Sequence, residues 1–72
     1  MLKIDCLPIG AKVTFYTLSG ELTRTLNEFD YRVEWDAHNE KGMPVSAGIY
    51  FYVVELGDKV LERGKILVMK GP

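Results

Sequence analysis

The chain has 72 residues, 47% of them hydrophobic and 26% charged, with a formal net charge of -1. That is one domain of ordinary globular composition, near the size at which a single core supplies only about 3–5 kcal/mol, so it has little stability to spare for a strained active site and no enzyme is expected. Nine basic and ten acidic residues mixed along the whole length leave no basic stripe for a phosphate backbone, which argues against nucleic acid as a partner.

One cysteine, Cys6, rules out an internal disulfide, and with a single histidine it rules out the usual zinc spacings. The longest apolar run, Ile49 to Val54, is too short to span a bilayer, and the N-terminus has no long apolar stretch of the kind that directs export. If the domain is exported, the signal is expected in a preceding part of the chain.

In chain order, Leu2, Ile4 and Cys6 alternate with Lys3, Asp5 and Leu7, a strand on which Cys6 is expected as a small buried hydrophobe on the face of Ile4. Pro8 and Gly10 break it. A half-buried strand follows over Ala11 to Thr17, with Val13 and Phe15 on one face. Leu18-Ser19-Gly20-Glu21 turns the chain into a hairpin with Leu22 to Leu26, whose buried face the weak alternation does not decide. Tyr31, Val33 and Trp35 then alternate with Arg32 and Glu34, giving a strand with one wet face.

Asp36 to Gly42 holds the densest polar cluster and reads as a loop whose Asp and Asn side chains close turns on their own backbone. Pro44 and Val45 form a short extended piece. Gly48 to Glu55 is a strand apolar on both faces, the pattern of a strand central in its sheet and covered on both sides. After the Gly57-Asp58 turn, Lys59 to Met69 is extended, with a break expected near Gly64. No window sustains a helical apolar stripe with caps. The whole predicts an all-β sandwich of about six to seven short antiparallel strands, with Phe15, Val33, Trp35, Gly48, Tyr50 and Tyr52 as its structural core. Gly48 and Tyr50 also have the spacing with which a tyrosine corner pins a loop to an immunoglobulin-type sheet.

Asp36, Asn39 and Glu40 are the candidate metal loop, because a hard cation wants several oxygens close together. The match to a calcium loop is poor. Its third position is His38, its sixth is Lys41 where glycine is needed, and its twelfth is Ala47 where a bidentate glutamate belongs. A solvated turn is the stronger reading, and neither metal nor cofactor is expected. His38 has no nucleophile beside it, and Ser19 and Ser46 lack a strand-turn-helix setting, so no catalytic residue is assigned.

The runs VTFYTLSGELTRTL from Val13, VEWD from Val33, GMPVSAGIYFY from Gly42 and KILVMK from Lys65 resemble, in order, the Ig-like domain of the flagellar hook-capping protein. The same pattern is similar to C-terminal domains of secreted bacterial proteins, the type IX sorting domains among them. The resemblance implies an Ig-like sandwich spanning 1–72 and a secreted or cell-surface location. Only Gly71 and Pro72 follow Lys70, where the C-terminal group ends, so the implied role is that of a non-catalytic C-terminal accessory domain. Such a domain acts in secretion, sorting, surface attachment or assembly through protein contacts. The segment that precedes the first strand in the family is absent, which implies an unpaired sheet edge and edge-strand self-association. A flagellar hook-cap assembly domain is the first alternative. A carbohydrate-binding module of a secreted hydrolase is the second, and a flat row of exposed aromatic rings would distinguish it.

Overall fold

A computed structural model describes residues 2–69; Met1 and residues 70–72, which the sequence reading includes in the domain, lie outside the described residues. The six strands are β1 (Leu2–Ile4), β2 (Lys12–Tyr16), β3 (Leu22–Asn27), β4 (Val33–Trp35), β5 (Gly48–Leu56) and β6 (Lys59–Val68). They form two antiparallel sheets, one of β1-β4 and one in the order β3-β2-β5-β6, packed as a small all-β sandwich.

Alternation decides what lies between the sheets. Val13 pairs with Val54 and Phe15 with Tyr52, so β2 and β5 send the same row inward. From the smaller sheet Val33 and Trp35 point back at them, both almost fully buried. Phe15 stacks on Trp35 with ring centroids 4.3 Å apart, and Tyr50 meets Trp35 edge-on at 5.6 Å. Offset and edge-to-face contacts suit the ring quadrupoles, so this trio binds the sheets beyond simple area burial.

The structure departs from the sequence reading at Cys6, Tyr31 and Gly64, and again in the cover of β5. β1 ends at Ile4 and Cys6 takes a positive φ of 61°, which reverses the alternation. Cys6 is therefore exposed, and Leu7 enters the core instead. Tyr31 is likewise outside β4. Phe29 and Arg32 exchange backbone hydrogen bonds of 2.8 and 3.2 Å around Asp30 and Tyr31, which have φ of 56° and 64°. Two consecutive positive φ values make a type I′ turn, a geometry that favours glycine at the second position. Tyr31→Gly is accordingly expected to raise stability by about 0.5–1 kcal/mol, read as a higher urea midpoint at unchanged slope.

The third departure is at Gly64, where β6 continues without a break. Its irregularity lies elsewhere, between Val54 and Glu55 on β5, and makes Leu61 the extra residue opposite. Gly64 sits directly across from Tyr52, and the space a Cβ would fill is taken by that ring.

A strand bordered on both sides is what the apolar pattern of β5 requires, and β5 does lie between β2 and β6. It is covered on one face only. Among the described residues no strand packs over the row Ile49, Phe51 and Val53, because the second sheet has two strands and both lie on the other side.

Candidate functional site

The polar loop after β4 is the first place to look for chemistry. Asp36 Oδ1 accepts from the His38 amide at 3.1 Å, and Asn39 Oδ1 accepts from the amides of Lys41 and Met43 at 2.9 and 3.0 Å. Glu40 reaches sideways to β3. Its amide donates to the Thr23 carbonyl at 3.1 Å and its carboxylate accepts from the Thr25 amide at 2.7 Å. The structure thus gives the oxygens of Asp36, Asn39 and Glu40 separate backbone donors and does not gather them around one point. Among the described residues no group of three or more His, Cys, Asp or Glu side chains is placed to hold a metal ion. His38 turns its Nδ1 toward the Asp36 carbonyl at 2.9 Å, with no hydroxyl or thiol partner at that distance.

The loop works as a brace. Trp35 Nε1 donates to the His38 carbonyl at 3.0 Å, and an Arg24 guanidinium nitrogen donates to the Asn39 carbonyl at 3.1 Å, tying the loop to the core and to β3. Gly48, half-buried, starts β5 at a φ of 148°, a value that strains any residue with a Cβ. Just beyond it the Tyr50 hydroxyl donates to the Ser46 carbonyl at 2.7 Å and fixes the entry into β5. Tyr50→Phe removes that bond while keeping the ring, and is expected to cost about 1 kcal/mol in urea denaturation.

Comparison with known proteins gives no match. No family model, no curated protein and no solved structure matches the chain.

The surface with the most distinctive character is the outer face of the four-stranded sheet. Register puts Ile49 beside Leu67, Tyr16 beside Phe51, and Thr14 beside Val53. Ile49 is 44% and Leu67 54% exposed, while Phe51, Val53 and Tyr16 are half-buried and Thr14 is buried among its neighbours. Single exposed apolar residues are ordinary; a contiguous row across three strands is not. Two cations border it. Lys65 is the cross-strand neighbour of Phe51, with Nζ 5.9 Å from the ring centroid, and Arg63 is the neighbour of Val53.

The remaining exposed aromatics do not add to this face. Phe29 and Tyr31 project from the turn before β4, and Trp35, Phe15 and Tyr50 are in the core. Sequence reasoning missed the outer row as a site. The signal was there in β5, whose second apolar face needs a cover that no strand among the described residues supplies.

Proposed function

We propose that this domain is a non-catalytic accessory module of an exported bacterial protein that works by docking, with the outer face of the four-stranded sheet as its contact surface. The observation that carries the reading is the uncovered apolar row of Ile49, Phe51, Val53 and Leu67. Burying such a row on a partner removes apolar area from water, the main favourable term in protein association. Export rests on the resemblance in sequence. The carbohydrate alternative has less support, because the largest rings are spent in the core and the half-buried Tyr16 and Phe51 make a short platform with a lysine over one end.

The pair Ile49→Lys and Leu67→Glu tests the reading. These positions are directly opposite on β5 and β6, so the new charges face each other and stability is expected to stay within about 1 kcal/mol of the parent. Mass spectrometry of cell-bound and culture-fluid fractions should find the full-length protein outside the cytoplasm, and the double variant should shift it between those fractions. A protein confined to the cytoplasm, or a distribution the variant leaves unchanged, overturns the proposal. Co-fractionation with flagellar structures, with peptides continuing past Pro72, would replace it with the hook-cap reading.

A further inference from the structure

The two edges of the four-stranded sheet are treated differently by the chain. Along β3 the loop supplies what a neighbouring strand would supply, since Glu40 donates its amide to Thr23 and accepts the Thr25 amide on its carboxylate. Along β6 no such cover is found among the described residues. Among the described residues its backbone is paired with β5 on one side and makes no other backbone hydrogen bond. It is also the longest strand, with 10 residues, and from Glu62 to Val68 its register is regular. An open edge of that kind is a template for another strand.

The side chains along the edge select what can pair there. Arg63, Lys65 and Leu67 point to the outer face, and Gly64, Ile66 and Val68 to the core face. A second copy of β6, added antiparallel about a two-fold axis with core faces aligned, must set residues of the same row opposite each other. Centring the pair on Arg63, Gly64 or Lys65 then places Arg63 against Arg63, Arg63 against Lys65, or Lys65 against Lys65. Like charges directly opposite destabilise a strand pair, so these three registers disfavour self-pairing, and only a pair shifted toward Ile66, with Lys65 opposite Leu67, escapes the repulsion.

The same row welcomes carboxylates. The geometry points to β6 as the acceptor for an extended segment of a partner protein that alternates acidic and apolar residues and adds to the sheet as a further strand. Its carboxylates lie beside Arg63 and Lys65, above the shallow groove that these residues form with Phe51 and Val53. Its apolar side chains point inward beside Ile66 and Val68, and next to Val68 they reach an open cleft that Leu2, Trp35 and Asp36 line from the other sheet and its loop. Main-chain hydrogen bonds supply affinity and the alternating side chains supply choice of partner. This inference rests on the docking reading and names the partner's chemistry for the same sheet.

A synthetic peptide alternating valine and glutamate, long enough to span Glu62 to Val68, is the probe, with a lysine-for-glutamate version and one N-methylated at every second residue. Fluorescence anisotropy should show binding of the glutamate peptide alone, and amide shifts in NMR spectra should concentrate on residues 62 to 68. Arg63→Glu with Lys65→Glu should weaken that binding roughly tenfold or more and admit the lysine peptide. Equal binding of the lysine or the N-methylated peptide to the parent overturns strand addition, as does a dimer formed through β6 in sedimentation. If no peptide binds while Ile49→Lys with Leu67→Glu still redistributes the full-length protein, strand addition fails and the docking face stands.

Discussion

Trp35→Ala is expected to leave a chain with no cooperative thermal transition. The side chain is 1% exposed, stacks on Phe15, meets Tyr50 edge-on and donates its indole N–H to the His38 carbonyl. Truncation empties the largest fully buried volume in the domain and leaves a half-buried carbonyl without its donor. Losses of this type run to about 3–5 kcal/mol for a tryptophan, comparable to all that a core of this size supplies. Trp35→Phe separates the two contributions. It keeps most of the packing and loses the hydrogen bond and the second ring, so a reduced but cooperative melt is expected in circular dichroism. A parent-like melt for Trp35→Ala would mean that the sheets are held together somewhere else.

Gly64→Ala is expected to destabilise by about 1–3 kcal/mol even though its strand has ordinary geometry there. A Cβ on Gly64 would stand 2.7 Å from the Tyr52 hydroxyl oxygen and 2.8 Å from two ring carbons, well inside contact distance. The ring is stiff, with two torsions, and it is the cross-strand partner of Gly64, so it must swing away as a unit. An aromatic covering a strand glycine in this way substitutes for the missing side chain. The sign should reverse when the ring is absent. In a Tyr52→Val background, Gly64→Ala relieves only the entropic weakness of a strand glycine and should stabilise by roughly 0.5–1 kcal/mol. Chemical denaturation of the four proteins gives the cycle directly, and additive effects would show that ring and glycine do not interact.

What the sequence makes legible is what depends on near neighbours. Val13 and Phe15, then Val33 and Trp35, alternate with polar residues, and that period sets both strands and their inward faces. The turn-closing roles of Asp36 and Asn39 follow from side chains that reach their own backbone within a few residues. Reading failed where a backbone angle or a distant partner decides. Cys6 and Tyr31 adopt positive φ without the glycine or asparagine that announces it, and each shifts the alternation by one residue. Gly64 reads as a break because the ring that fills its place comes from another strand. Leu22 to Leu26 gave no clear face because an irregularity between Phe15 and Tyr16 interrupts the pairing, leaving Thr23 buried and Leu22 outside. The candidate surface was half-legible: two apolar faces on β5 were visible, while the absence of a cover over one of them required the sheet order.

The measurement that bears most directly on the docking account is site-specific photo-crosslinking in the native cell. A benzophenone-bearing residue at Leu67, on the outer face, is compared with one at Phe29, which is more exposed at 83% against 54% but lies on a turn away from that face. If the outer sheet face is the contact surface, position 67 yields a discrete protein adduct and position 29 yields none. An adduct from Phe29 with none from Leu67 would contradict the account and move the contact to the other end of the sandwich.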